Sequence, residues 1–512
     1  MSLRTHLLAG AALLAALGSP VQAHAQTTDD IGIELLQLLV DEGVLPREKA
    51  DQLLAKARDA AALRAQREAP RTAATIDVPY VPETVRAQIR DEVKQEVVAQ
   101  ARSEGWIAPN TLPEWTQRIS INGDFRIRSE LQNFSKDNFP FFPDVGAINR
   151  ARGVTNSGGF PLLNSLIDRR RLNYRARINV DANITKEVQV GFRLASGNEP
   201  GAVSTNATLG NFFQKDEFWL DRAYIAVTPL KGLTFTGGRI ANPFLATDMV
   251  WDADINPEGV AATARHGFFD DKVAVFGTAA YFPLEERLLY SDSFMAGGQL
   301  GVEAKPADNL TFTVAGSYYN FQGIQSRKNA PDGSRLNDYT APLFLEKGNS
   351  VFNVRTDGLT TLAGLASDFD LAIGHANLAY DHGDLRFGLT GEVVKNLALD
   401  RAEIARLRGE PGVPAGDLGW QVRFDAGYPI IRKLGDWHIS AAYKRIETDA
   451  VVDIFADSDF GLGGTDVKGY AIEGAVGIYD NTSIGVNWLS TDAINRPPFS
   501  VDVLQINLVS RF

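Results

Sequence analysis

From Trp115 to the C-terminus the sequence alternates apolar and polar residues with period two, in one segment after another. Successive side chains of a strand point to opposite faces, so such a run makes a sheet with one apolar and one polar side. The pattern predicts strands over Gln117–Leu131, Arg169–Asn183, Glu187–Gly197, Lys215–Pro229, Gly232–Asn242, Glu258–Phe268, Asp271–Pro283 and Ser293–Lys305. It continues through Asn309–Phe321, Phe369–His382, Asp384–Leu397, Leu418–Ile430, Gly435–Ala450, Thr465–Tyr479, Asn481–Asp492 and Ser500–Phe512, sixteen segments in all. Most are near the ~9–11 residues that a tilted strand needs to cross a bilayer.

The connections are sorted by length. After each even-numbered segment comes a tight turn, such as "ITKE", "LKG", "FDD" or "DN". After the odd-numbered ones the connection is usually longer, as in Gln132–Asp168, Gln322–Asp368 and Ala398–Asp417. Short turns at one end and longer loops at the other are the asymmetry of an outer-membrane barrel, whose turns lie in the periplasm. An open sheet in lipid would leave edge groups unpaired at several kcal/mol each, so closure is required. The fold class expected is an all-β transmembrane barrel of about 16 antiparallel strands, placed in the outer membrane.

The faces agree with this reading. In Leu418–Ile430, Trp420, Val422, Phe424, Ala426 and Tyr428 share one side, and Gln421, Arg423, Asp425 and Gly427 the other. Aromatic residues at both ends of the apolar stripe suit two interfacial girdles. Two places break the alternation: Asp221 falls among Trp219 and Ile225, and Arg239 lies on the apolar parity of its segment. A bulge would account for either.

Composition narrows the class further. No segment reaches the ~20 apolar residues of a membrane helix. A formal net charge of −12 argues against nucleic acid as a partner. Without cysteine there is no disulfide framework and no thiolate zinc site. The N-terminus, "MSLRTHLLAGAALLAALGSPVQAHAQ", carries Arg4, an apolar core and a small-x-small site at Ala23-His24-Ala25, which predicts a signal peptide over residues 1–25. Residues 26–105 read as helical, with Val85, Ile89, Val93 and Val97 on one stripe, and are expected in the periplasm as a short extension. The barrel then spans residues 115–512.

Four stretches, "VPYVPETVRAQIRDEVKQEV", "LPEWTQRISINGDFRIRSEL", "RRRLNYRARIN" and the terminal Phe512, resemble Gram-negative outer-membrane porins. The likeness is to the family named "putative porin", whose members have helical N-terminal segments ahead of a barrel. It implies passive diffusion of small hydrophilic solutes, and a C-terminal aromatic read by the barrel-insertion machinery. It also makes a homotrimer the expected assembly, by analogy with sixteen-stranded porins.

Enzyme chemistry finds little support. No G-x-S-x-G element is present, and His375 and His382 read as solvated turn histidines rather than metal ligands. "DADINPEG" (Asp252 to Gly259) has Pro257 where a calcium loop needs its turn glycine, and reads as an acidic extracellular loop. No cofactor is expected. The lumen carries the candidate function: Arg126, Arg128, Arg171, Arg175, Arg177 and Arg193 fall on polar parities and are candidate pore-lining residues. They would bias passage mildly toward anions, or else pair with Asp124, Glu130, Asp181 or an infolded acidic loop and only shape the transverse field. Gln132–Asp168 and Gln322–Asp368 are the candidates for that inward loop. The alternative function is a tether, in which the N-terminal helices bind the cell wall or a periplasmic partner and the barrel serves as an outer-membrane anchor.

Overall fold

A computed structural model describes residues 116–512, apart from 198–200, 289 and 413. The expected signal peptide (1–25) and helical extension (26–105) fall outside the described residues. Sixteen long strands are present among those described. The first eight are β1 (Ile119–Phe134), β2 (Arg169–Asn183), β3 (Val188–Gly197), β4 (Glu217–Leu230), β5 (Leu233–Arg239), β6 (Glu258–Phe268), β7 (Val273–Glu285) and β8 (Ser293–Ala307). The others are β9 (Leu310–Gln322), β10 (Asp370–His382), β11 (Leu385–Asn396), β12 (Leu418–Gly427), β13 (Trp437–Ile446), β14 (Val467–Tyr479), β15 (Thr482–Ala493) and β16 (Ser500–Arg511). Each pairs antiparallel with its sequence neighbours, and β1 pairs with β16 from Asp124↔Arg511 to Phe134↔Val501. Every strand edge is thereby satisfied, as lipid requires.

The closing seam holds the last residue in place. Phe512 and Gly123 exchange backbone hydrogen bonds of 3.0 and 3.1 Å. A Cβ on Gly123 would come within 2.6 Å of the Phe512 ring and 2.3 Å of the Arg177 carbonyl, so only glycine fits under the terminal aromatic.

The outer face is apolar and open to what surrounds it. Ile127, Phe192, Leu300, Val422, Phe424, Ile472, Trp488 and Ile506 are all exposed there. Aromatic residues cluster at both ends: Trp420, Tyr443 and Tyr470 at the long-loop end, and Tyr380 with Phe387 at the turn end. Lipid is the solvent that suits this belt and its two aromatic girdles. Both interruptions of the alternation have local causes. The pairing of β3 with β4 shifts register at Arg193/Leu194, leaving Asp221 as an extra residue, a bulge that turns it inward. Arg239 ends β5 just after Gly238, whose φ of 118° re-aims the chain. Its guanidinium then meets Glu258 and the Asp221 carbonyl.

Inside, the barrel departs from an evenly polar lumen. Loop 240–257 folds into it and packs Ile240, Phe244, Met249, Trp251 and Ile255 against Phe282, Met295, Tyr319 and Phe321 of β7–β9. Loops 323–369 and 447–466 complete this core with Leu345, Leu365, Phe369, Val451 and Phe460. This core occupies the lumen beside β7–β9 but leaves a cavity of about 420 Å³ between Trp251, Ile255 and Phe282. Further open space lies toward β1, β2 and β12–β16.

Candidate functional site

Loop 240–257 is pinned to the inner wall at several points. Leu245 and the Gln299 side chain of β8 exchange hydrogen bonds of 2.9 and 2.7 Å. Glu392 of β11 accepts from the Thr247 amide at 3.0 Å, and His375 of β10 lies 3.0 Å from the same carboxylate. The Lys444 ammonium of β13 reaches Asp248 and Asp457 of loop 447–466, both at 2.6 Å. At the far end Asp254 meets Arg177 at 3.1 Å and Arg175 at 3.6 Å. The loop thus crosses from β5 to the β11–β13 wall and returns toward β2.

Three expectations are corrected here. The inward loop that pairs with Arg175 and Arg177 is 240–257, which neither candidate covered; loops 132–168 and 323–369 instead bring Asp144, Arg150, Glu346 and Lys347 to a cavity beside Arg169 and Arg171, and 323–369 joins the packed core. "DADINPEG" belongs to that inward loop and is no extracellular acidic segment. Its upstream neighbours Ile240, Phe244, Met249, Val250 and Trp251 carry the overlooked signal, since so apolar a stretch has no reason to sit in water. His375 is buried against Glu392 on the lumen wall rather than solvated in a turn.

Two further cavities adjoin each other and are lined by charge. The outer one, about 550 Å³, is lined by Arg150, Arg169, Arg171 and Lys347 and by Glu130, Asp144 and Glu346. The inner one, about 250 Å³, holds Arg126, Arg128, Arg175, Arg423 and Lys444 opposite Asp248, Asp252, Asp254, Asp457, Asp459 and Glu473. They share Asn206, Ser458, Asp459 and Gln505, so the two are neighbours along the lumen. The cations stand on the barrel wall, and five of the six acids come from the two infolded loops. Opposed walls of opposite sign in a narrow, low-dielectric channel set up a field across it.

The six arginines do not share one fate. Arg175 and Arg177 both grip Asp124, at 2.9 and 2.7 Å, besides Asp254. Arg128 meets Asp459 at 2.8 Å, and Arg171 meets Glu130 at 3.5 Å. Arg193 forms a buried pair with Asp221 and borders neither cavity. Arg126 has no carboxylate within ion-pair distance among the described residues; its guanidinium donates to Asn206 at 2.6 Å. Asp181 pairs with none of the six and accepts from Tyr224 instead.

The loop acids are tuned by their surroundings. Burial, and then repulsion from Asp457, push the Asp252 carboxyl up to about 7. Burial likewise raises Asp457 to about 6, against the pull of Lys444. Burial would raise Asp459 as well, but the Arg128 guanidinium outweighs it and holds this carboxyl below its ordinary value. Of the inner cavity's charged groups the sequence pattern placed Arg126, Arg128, Arg175 and Arg423 on inward parities; the loop acids follow from no periodicity.

A closed antiparallel barrel with an apolar belt and a charge-lined interior is the architecture of an outer-membrane channel. The chain belongs to the family described as "Putative porin", whose sequence profile matches residues 29–512. None of the curated proteins is a match. Among solved structures it is similar to Salmonella typhi OmpF in complex with daunomycin, with 9% identity and a TM-score of 0.42, over 77% of this chain and 97% of that one. It is also similar to the trimer form of Vibrio cholerae OmpT, with 10% identity and a TM-score of 0.40, over 77% and 99% of the two chains. A mutant of Rh. blastica porin gives 12% identity and a TM-score of 0.34, over 77% and 100%.

Proposed function

We propose that this protein lets small hydrophilic solutes and ions diffuse passively along the two adjoining cavities, with a mild preference for anions. The observation that supports the passage is their shared lining at Asn206, Ser458, Asp459 and Gln505. The anion preference rests on Arg126, the one candidate arginine on this path with no carboxylate at ion-pair distance among the described residues. The other candidates on the path, Arg128, Arg171 and Arg175, are matched by acids and contribute to the transverse field more than to net selectivity. Purified protein in a planar bilayer is expected to give stepwise currents, with a reversal potential in a KCl gradient displaced toward that of chloride. Absence of stepwise current would sink the channel reading; a displacement toward potassium would sink the anion preference alone.

Assembly is assigned to the closing seam. Phe512 sits over Gly123 where β1 and β16 meet, half outside the protein and available to the barrel-insertion machinery. Deleting Phe512 removes the exchanged backbone pair and the ring together. The amount of heat-resistant folded barrel recovered from outer membranes is expected to fall severalfold; an unchanged yield would show that the aromatic has no part in insertion.

A further inference from the structure

The inner cavity contains five cations and six carboxylates, and all but two of them are committed to one another. Arg128 pairs with Asp459, Arg175 with Asp124 and Asp254, Arg423 with Asp425 and Glu473, and Lys444 with Asp248 and Asp457. Among the described residues Arg126 has no acid at ion-pair distance, Asp459 and Asp254 acting on it only from farther off, and Asp252 has no cation at that distance. Asp252 is held in place by neutral donors only, the amides of Asp254 and Ser458, each at 2.8 Å. Arg126 is likewise held by a neutral acceptor, Asn206, while its Nε has no partner.

We propose that the inner cavity is a subsite for small zwitterions of the α-amino acid type, with the solute carboxylate on Arg126 and its ammonium on Asp252. This rests on the channel reading above and names the solute class of the same passage. A guanidinium offers a carboxylate two parallel hydrogen bonds, and an ammonium can donate to the carboxylate lone pairs that the two amides leave free. A lone anion would engage Arg126 only, and a lone cation Asp252 only. One molecule bearing both charges answers both residues without breaking any existing pair. The cavity of about 250 Å³ limits the solute to a short side chain.

Alanine, propionate and ethylammonium isolate the two charges, since each of the latter is alanine with one group removed. In planar bilayers containing the purified protein, alanine is expected to reduce single-channel current at about tenfold lower concentration than either analogue. Arg126→Gln and Asp252→Asn are each expected to erase that difference, and the double variant to lose nothing more. Arg126→Lys and Asp252→Glu, which keep the charges, are expected to preserve it, which separates recognition from a collapsed loop. Equal potency of the three compounds, or an alanine effect untouched by either neutral variant, would overturn the proposal. Were no current to flow at all, the channel reading would fail and the subsite would still be testable. Saturation-transfer NMR on the solubilised protein should then show alanine contact that both neutral variants lose, and no contact in the wild type would overturn it.

Discussion

Lys444→Met is expected to give larger, noisier single-channel currents than the wild type, together with a lower thermal transition of the folded barrel. Lys444 is almost fully buried, and its ammonium joins loop 240–257 to loop 447–466 through Asp248 and Asp457. Methionine keeps the length of the stem and removes the charge, leaving two carboxylates facing each other at the junction. Breaking a buried ion pair from one side costs about 3–5 kcal/mol where the remaining charge has neither partner nor water, and less here because the Asp248 side chain is 32% exposed. Burial already raises Asp457 to about 6 with the lysine present, so part of this cost would be relieved by protonation. The backbone hydrogen bond from Asp457 to Asp248, at 3.0 Å, is too weak to hold the loops by itself. Both loops narrow the inner cavity, so their release widens it. Wild-type conductance and melting in this variant would show that the apolar core, not Lys444, holds the loops.

Arg175→Ala combined with Arg177→Ala is expected to shift the permeability ratio severalfold toward cations. The two guanidinium groups share Asp124 and Asp254, so their loss removes two positive charges and uncovers two carboxylates at the same spot. The change in local charge is therefore larger than a count of arginines suggests, since neutralised acids become field sources. Asp254 is also the point where loop 240–257 returns to the β2 wall, and that end of the loop loses its anchor. Reversal potentials in a KCl gradient measure the outcome. An unchanged value would place Arg175 and Arg177 away from the path that ions take.

The barrel itself was legible because its cause is local. In Leu418–Ile430 the alternation of Val422 and Phe424 with Gln421, Arg423 and Asp425 states which face meets lipid, and β12 obeys it. The bulge at Asp221 could be anticipated as well, since one extra residue shifts every later side chain by one face. The candidate site was legible only in half. Arg126, Arg128, Arg171, Arg175 and Arg177 could be placed on inward parities because they sit on strands. Asp248, Asp252, Asp254, Asp457 and Asp459 could not, because a loop has no period from which to read a direction.

What the sequence determined by itself is the membrane barrel: strand number, order, the lipid-facing side and the end that bears the turns. These follow from period-two patterning and from the demand that lipid leave no backbone group unpaired. Only the tertiary structure decided which loop enters the lumen, which arginines are neutralised, and that Arg126 and Asp252 remain uncommitted in one cavity. Those outcomes depend on contacts between residues such as Lys444 and Asp248, far apart in the chain and brought together only when the barrel has closed around its loops.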